Sequence, residues 1–257
     1  MAPKSTPRRS APEFPLSAVW RGGQGVRHFT RKLLAWYARA ARDLPWRNTR
    51  DPYRVAVSEF MLQQTQVSRV LEFYPRFLKR FPTLEKLARA RPKAVREAWE
   101  GLGYYARASN LHALARVVRE ANDGIIPETP EELRKLPGVG PYTAGAIATF
   151  AYEKPVGAVD TNVGRVIRRV FLGAGSRERS VQVMAERLVP KNGKRAWKFN
   201  QAMMELGALV CVARRPRCGV CPVQPLCKTG RRASKPSIAA PSPQSTPRSP
   251  ILPQSTR

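Results

Sequence analysis

The sequence predicts a predominantly α-helical protein, and three observations lead to that prediction. Apolar residues recur every three or four positions along most of the chain, which is the spacing of one helix face. A pattern of helix, tight turn and helix occupies residues 129–148. The hydrophobic fraction of 42% gives this chain of 257 residues enough apolar mass to build a sizeable core.

The charge balance predicts an anionic polymer as the binding partner. The chain has 46 Lys and Arg residues against 18 Asp and Glu residues, a formal net charge of +28. This excess goes far beyond what solubility requires, so a nucleic acid is the leading candidate. The apolar content excludes a wholly disordered basic protein, and a folded nucleic-acid-binding protein remains.

The two ends of the chain differ from the middle. Residues 1–25 and 230–257 are rich in Pro, Ser and basic residues and show no periodicity, so we expect disordered tails without a specific function. No apolar region follows the basic N-terminus, and the most apolar stretch, residues 144–152, is too short to cross a membrane. We therefore expect a cytoplasmic protein, associated with the nucleoid in a bacterium, and no membrane contact.

Helix boundaries follow from periodicity and capping. One apolar stripe with alternating spacings of four and three predicts a helix that spans residues 53–74, and shorter amphipathic segments follow through Trp99. Thr129 is a candidate N-cap for a helix that ends at Leu136, before Pro137 and Gly138, and Pro141 begins the next helix.

The turn between these two helices is a candidate phosphate site. Gly138 and Gly140 allow a partner to approach the backbone closely, and the free N–H groups at the start of the second helix attract anions. The alternative is an ordinary interhelical turn. A dinucleotide-binding loop fits poorly because the third glycine is misplaced and no strand precedes the motif.

Four cysteines form a candidate metal site. Cys211, Cys218, Cys221 and Cys227 are separated by six, two and five residues, and such a cluster in a reducing compartment favours metal ligation over disulfides. Four thiolates can hold a [4Fe–4S] cluster or a tetrahedral zinc ion. Only one short Cys-x2-Cys knuckle is present, which favours the cluster slightly.

Two polar segments interrupt apolar surroundings. Glu59 is flanked by apolar residues, so burial could raise the pKa of its carboxyl toward a value useful for a general acid, whereas the alternative is a solvent-facing glutamate. The amides of Gln63 and Gln64 could read base edges or fill the gap left by a displaced base.

Asp160 precedes a helix and is either an N-cap or a carboxylate that stabilises positive charge on a sugar. Tyr104 is a candidate for stacking on a base, with packing in the core as the default.

These residues together resemble the MutY-type adenine DNA glycosylases of the helix-hairpin-helix superfamily. The resemblance covers roughly residues 30 to 228 and depends on six motifs in order, together with the cysteine spacing. The motifs are Leu-Pro-Trp46-Arg47, Ser-Glu59-x3-Gln63-Gln64-Thr65-Gln66-Val67, Gly-Leu-Gly-Tyr104-Tyr105-Ala-Arg107-Ala, Leu-Pro-Gly138-Val-Gly140, Val-Asp160-x-Asn162-Val and Phe-Asn-Gln201-Ala-Met-Met.

The resemblance implies a fold and a cofactor. It implies a six-helix barrel with the helix-hairpin-helix motif over residues 50–155, and a [4Fe–4S] cluster domain built from residues 26–49 and 156–229. The four cysteines are then the ligands of the cluster.

The resemblance also implies roles for single residues. Glu59 matches the catalytic acid and Asp160 the carboxylate that stabilises the transition state. Trp46, Arg47 and Gln201 match pocket positions, and Gln64 and Tyr104 match residues that wedge into the opened duplex. Further substrate- or DNA-binding positions are Gln63, Gly138, Gly140, Tyr142 and Asn162.

The implied activity is removal of adenine mispaired with guanine or 8-oxoguanine in double-stranded DNA, by a monomer that flips the base, protonates it at N7 and hydrolyses the glycosidic bond.

Departures from the family pattern leave alternatives open. Tyr142 stands where the related endonuclease III has a lysine nucleophile, so strand cleavage should be weak. A Thr separates Asp160 from Asn162, at a position where the family frequently has Gly. We also expect no C-terminal domain for 8-oxoguanine recognition after Cys227. The alternatives are a glycosylase that removes thymine or uracil mispaired with guanine, and a noncatalytic iron–sulfur protein that binds DNA.

Overall fold

The computed structural model describes residues 23–230, and within this range the chain is helical and contains no strand, as predicted. The predicted tails lie outside the described residues, except that the first helix already begins at Gln24. The α-helices are α1 (Gln24–Ala40), α2 (Pro52–Leu62), α3 (Val67–Arg80), α4 (Leu84–Ala88), α5 (Pro92–Ala98), α6 (Ala106–Ala121), α7 (Pro130–Leu133), α8 (Pro141–Tyr152), α9 (Thr161–Ile167), α10 (Glu178–Leu188) and α11 (Gly193–Leu209).

Shorter helical pieces complete the described part of the chain. A π-helical turn, Arg168–Leu172, follows α9 directly. Single 3₁₀ turns occupy Pro45–Arg47, Cys218–Val220 and Gln224–Leu226. None of the helices in the described range is long and apolar enough to span a membrane.

Two hydrophobic cores organise these helices. Helices α2–α8 surround the first core, whose fully buried side chains include Phe60, Trp99 and Ile147. Helices α1 and α9–α11 and the segment that carries the cysteines surround the second core, where Phe29 packs edge-on against Phe171 at 4.9 Å between ring centroids. The division of the chain into two domains stays a prediction, and Leu44 and Trp46, which it assigns to the cluster domain, pack in the first core.

The single helix predicted over residues 53–74 is wrong, because the structure divides it into α2 and α3. Gln64 adopts a left-handed backbone conformation with a φ of 54°, which no α-helix accommodates. The buried guanidinium of Arg107 stabilises this break, since it donates to the carbonyl oxygens of Phe60, Met61 and Gln63 at 3.1, 2.7 and 2.5 Å. The last carbonyls of α2 are thereby satisfied without a continuing helix.

The helix-hairpin-helix unit forms as predicted, with one change in length. Thr129 caps α7 by accepting a hydrogen bond from the backbone N–H of Glu132 at 3.3 Å. The α-helix ends at Leu133 rather than at Leu136, and turns connect it to the hairpin. Pro141 occupies the first position of α8, where its missing N–H costs nothing.

The two hairpin glycines offer a matched test of backbone strain. Gly138 has a φ of 72°, and a Cβ at this position would lie 2.6 Å from the Cβ of Asn110. Gly140 has a φ of −84°, and a Cβ there would meet no atom within 4 Å. We expect Gly138→Ala to lower the free energy of unfolding by about 1–3 kcal/mol and Gly140→Ala to change it by less than about 0.5 kcal/mol. Urea denaturation of both variants measures this, and equal losses would contradict the assignment.

Candidate active site

A cavity of about 650 Å³ lies where the two cores meet, and most of the predicted site residues line it. Its walls come from the 3₁₀ turn at Pro45–Arg47, from α2 and the turn that follows it, and from α8, α9 and α11. The predicted residues that line it are Trp46, Arg47, Glu59, Gln63, Gln64, Tyr142, Asp160, Asn162 and Gln201. Tyr104, Gly138 and Gly140 are not part of this lining.

Glu59 is a buried carboxyl in the wall of this cavity. Its relative exposure is 4%, which excludes the solvent-facing alternative, and its Oε2 atom is buried without a hydrogen-bond partner. Burial raises the pKa of Glu59 to about 7, a hydrogen bond from Tyr142 opposes that increase, and the charge of Asp160 adds to it. The carboxyl can therefore carry a proton near neutral pH, and one of its oxygens has no hydrogen-bond partner in the protein.

Asp160 is an N-cap that also lines the cavity, while its role on a sugar stays a prediction. Its Oδ1 atom accepts a hydrogen bond from the backbone N–H of Val163 at 2.6 Å, so it is the N-cap of α9. Its Oδ2 atom accepts a hydrogen bond from the side-chain amide of Asn162 at 3.0 Å, and the residue lines the cavity. The cap fixes the direction of the carboxylate, which makes it a preorganised negative charge.

Tyr142 lies in the first turn of α8 and its hydroxyl donates to Glu59. Burial and the neighbouring carboxylates of Glu59 and Asp160 raise the pKa of Tyr142 well above its ordinary value, so the hydroxyl remains protonated. A phenol in this position supplies a hydrogen bond and no amine for a Schiff base.

Glu205 is a cavity residue that sequence reasoning missed. It is fully buried on α11, one helical turn after Gln201, and its carboxylate binds the guanidinium groups of Arg42 and Arg47. The signal was available, because Gln201 and Glu205 are four residues apart on one helix and therefore share a face. The motif that contains Gln201 ends at Met204, one residue before Glu205.

The two predicted wedge residues are exposed near the broken helix. Gln64 lies in the turn between α2 and α3, next to Gln63, whose amide donates to the hydroxyl of Thr143 at 3.4 Å. Tyr104 is 62% exposed, which excludes packing in the core, and the guanidinium of Arg107 lies 5.4 Å from its ring centroid. Arg107 thus contacts both segments that carry these residues.

The four cysteines meet at a second, smaller pocket. All four line one pocket with Arg169 and Arg217, and burial raises the pKa of Cys221 to about 11. The Sγ atom of Cys227 accepts a backbone N–H from Gly230 at 3.2 Å, and Arg169 lies 3.5 Å from the Sγ atom of Cys211. Within residues 23–230, no three His, Cys, Asp or Glu side chains are grouped tightly enough to hold a single metal ion.

Four thiols around one pocket, with N–H donors directed at two of the sulfurs, fit an iron–sulfur cluster.

Hydrogen bonds join the two sites. The side chain of Arg165 donates to the Oδ1 atom of Asn162 at 2.6 Å and to the carbonyl oxygen of Cys211 at 2.8 Å. Because Asn162 donates in turn to Asp160, a continuous chain of contacts connects the cavity with the first cysteine.

Comparisons with known proteins agree with this geometry. Residues 57–191 match the model of the HhH-GPD superfamily of base excision DNA repair proteins, and residues 211–227 match the iron-sulfur binding domain of endonuclease III. The four cysteines therefore hold a [4Fe–4S] cluster, and the zinc alternative is set aside.

Similar proteins include two adenine DNA glycosylases. The rat protein is 45% identical over 84% of this chain and 44% of its own length, and the Mycobacterium tuberculosis protein is 47% identical over 77% and 67%. This chain thus spans less than half of the mammalian relative.

A solved structure of a thermostable thymine-DNA glycosylase is also similar, with 31% identity, a TM-score of 0.75, and coverage of 80% of this chain and 97% of that one. The chain therefore belongs to the HhH-GPD superfamily of base excision DNA repair proteins.

Proposed function

We propose that this protein is a monofunctional adenine DNA glycosylase, which removes adenine mispaired with guanine or 8-oxoguanine in double-stranded DNA. The observation that carries the proposal is the carboxyl of Glu59, which is buried, has no hydrogen-bond partner at Oε2 and belongs to a residue that lines the same cavity as Asp160. The names of the two adenine glycosylases that the chain resembles support adenine as the base.

In the proposed reaction, the flipped adenine enters the cavity and receives a proton from Glu59 at N7. Adenine is a poor leaving group until it is protonated, so a carboxyl with a pKa near neutrality is suited to the step. The cavity volume of about 650 Å³ is ample for one nucleoside. Water then completes hydrolysis and leaves an abasic site.

The second carboxylate acts on the sugar. As the glycosidic bond breaks, positive charge develops on the sugar ring, and the fixed carboxylate of Asp160 stabilises it. The hydrogen bonds from Val163 and Asn162 keep this carboxylate in place before the reaction begins. With a tyrosine at position 142 and no amine there, strand cleavage through a Schiff base is not part of the proposal.

The surrounding surface is assigned to the DNA duplex. The N-terminus of α8 after Gly140 offers backbone N–H groups to a phosphate, and Gln64 and Tyr104 are exposed where they can fill the gap left by the flipped base. When bound, the cluster supplies a four-point crosslink that orders the basic segment with Arg214, Arg215 and Arg217 for phosphate contacts. We infer that one protein molecule acts alone on each mismatch.

A second candidate is a glycosylase that removes thymine opposite guanine. The similarity in both sequence and fold to a thymine-DNA glycosylase favours it. A noncatalytic DNA-binding protein is disfavoured, because a buried carboxyl oxygen without a hydrogen-bond partner is costly and contributes nothing to binding alone.

Excision assays distinguish these functions. We expect release of adenine from duplexes with A opposite G or 8-oxoguanine, and no release of T or U opposite G. The measurement is alkaline cleavage of end-labelled duplexes after single-turnover incubation with the full chain carrying its cluster. Release of thymine alone would establish the second candidate, and release of no base would leave the noncatalytic alternative.

The two carboxylates can be tested separately. Glu59→Gln keeps the shape of the side chain but cannot deliver a proton, so we expect excision to fall by roughly 10² to 10⁴. Asp160→Asn removes the charge opposite the cation and should lower the rate by roughly 10² to 10³. DNA affinity should survive in both variants. Single-turnover rates measure excision, and fluorescence anisotropy measures DNA affinity. The control is Glu97→Gln, which changes an exposed residue. A Glu59→Gln protein that excises at the wild-type rate would overturn the mechanism.

The buried carboxyl of Glu59 should also lower the free energy of unfolding at neutral pH. Because the pKa of Glu59 is about 7 in the folded protein and 4.5 ordinarily, the folded state retains a proton that the unfolded state releases. Stability is therefore lost as pH rises between these two values, by up to about 3 kcal/mol. We expect Glu59→Gln to become more stable than wild type across this interval, as measured by urea denaturation at several pH values. A difference that does not vary with pH would refute the buried, protonated acid.

A further inference from the structure

The cavity holds an arrangement of charge that the proposed reaction does not use. Three carboxyl groups, those of Glu59, Asp160 and Glu205, line it together with the guanidinium groups of Arg42 and Arg47. Both arginines bind the same carboxylate, Glu205, and neither is bonded to the other two.

Glu205 holds the arginines through four hydrogen bonds, and a fifth joins the two arginines. Its Oε1 atom accepts the backbone N–H of Arg42 at 3.0 Å and the Nε atom of the same residue at 2.7 Å. Its Oε2 atom accepts Nη2 of Arg42 at 2.9 Å and Nη2 of Arg47 at 2.7 Å. Arg47 is fixed further by a bond from Nη1 to the carbonyl oxygen of Arg42 at 3.0 Å.

Without these contacts, the guanidinium of Arg47 would need another anion as its partner. The side chain of Arg47 is only 9% exposed, so bulk water cannot solvate its guanidinium in place of Glu205. The other acidic residues that line the same cavity are Glu59 and Asp160. A guanidinium that approached Glu59 would favour the charged carboxylate, and the proton needed for a general acid would be lost at neutral pH.

We propose that Glu205 is a positioning residue, which retains Arg42 and Arg47 on one wall of the cavity and so allows Glu59 to keep its proton. This inference rests on the proposed function, in which Glu59 is the acid. Glu205 does not touch the reacting atoms in this account. It acts through the two arginines.

The other groups around Glu59 are compatible with this role. From α8, Tyr142 donates a hydrogen bond, and from the start of α9, Asp160 contributes negative charge. From α6, the guanidinium of Arg107 is occupied by the carbonyl oxygens at the end of α2. From α3, Tyr74 bonds to the carbonyl of Arg54, near the opposite end of α2. The remaining cations in the cavity wall are the two that Glu205 holds.

The test is the pH dependence of excision in Glu205→Gln. Wild-type activity should decline as pH rises through about 7, where Glu59 loses its proton. In the variant we expect the midpoint to move to lower pH by about one unit or more, so that the rate above the midpoint falls roughly tenfold while the acidic plateau is retained. Glu97→Gln, which removes an exposed partner of Arg80, should leave the midpoint unchanged. An equal loss of rate at every pH would show a merely structural role and overturn the proposal.

A double variant provides a rescue. In Glu205→Gln/Arg47→Gln the buried cation is removed with its partner, so the midpoint should return most of the way toward that of wild type, whatever the absolute rate. A midpoint that stays displaced contradicts the proposal. If Glu205→Gln does not fold, Glu205→Asp is tested in its place. The shorter side chain of aspartate cannot reach both guanidinium groups. An unchanged midpoint of the pH profile in that variant contradicts the proposal.

Infrared spectroscopy separates this inference from the proposed function. The C=O band of a protonated carboxyl near neutral pH, assigned by its loss in Glu59→Gln, reports the proton without any catalysis. We expect the band to disappear at lower pH in Glu205→Gln than in wild type. If the protein excises no base, the proposed function fails, yet the position of this band still decides whether Glu205 protects the proton. Identical titrations in the two proteins would refute it.

Discussion

The buried carboxyl of Glu59, whose Oε2 atom has no hydrogen-bond partner, is the constraint on which the rest of the site depends. A buried polar atom without a partner is costly, and an isolated buried charge costs far more, so the group lowers the cost by keeping its proton. Its neighbours preserve that state. Tyr142 supplies one hydrogen bond and Asp160 supplies negative charge. The arginines of the same cavity are retained by Glu205. In this site the arginines are paired with Glu205 and are not bonded to Glu59 or Asp160. The ends of the helices fix these positions.

Helix termini set this geometry. Asp160 caps α9, so the bond that begins the helix also fixes a carboxylate in the wall of the cavity. Arg107 ends α2 by binding its last carbonyl oxygens, which turns the chain outward at Gln64. From Asp160, contacts through Asn162 and Arg165 reach the first cysteine, so the cluster segment and the cavity share one framework. Local capping, which contributes about 1 kcal/mol for each helix, thereby positions the chemistry.

Much of this could be predicted from sequence, because periodicity and capping are local signals. The helical class, the cap at Thr129 and the start of α8 followed from them. The break after α2 did not, because an unbroken apolar stripe concealed it and the residue that stabilises it, Arg107, is more than forty positions away. The spacing to Gln201 could have placed Glu205 on the same helix face, but its pairing with Arg42 and Arg47 could not be predicted, since these partners are about 160 residues away. The sequence left the N-cap and the stabilisation of a sugar cation as alternatives for Asp160, and the structure shows that the capping residue also lines the cavity, so the two roles do not exclude each other.

The central claim is that a carboxyl in this cavity carries a proton near neutral pH. The most direct measurement is a ¹³C NMR titration of the side-chain carboxyl of Glu59 in the protein labelled at glutamate, with Glu59→Gln used to assign the resonance. The account predicts a midpoint at about 7, because the carboxyl is desolvated on α2. A midpoint near the ordinary glutamate value of about 4.3 would contradict it, since the group would then be charged before any base could enter the cavity.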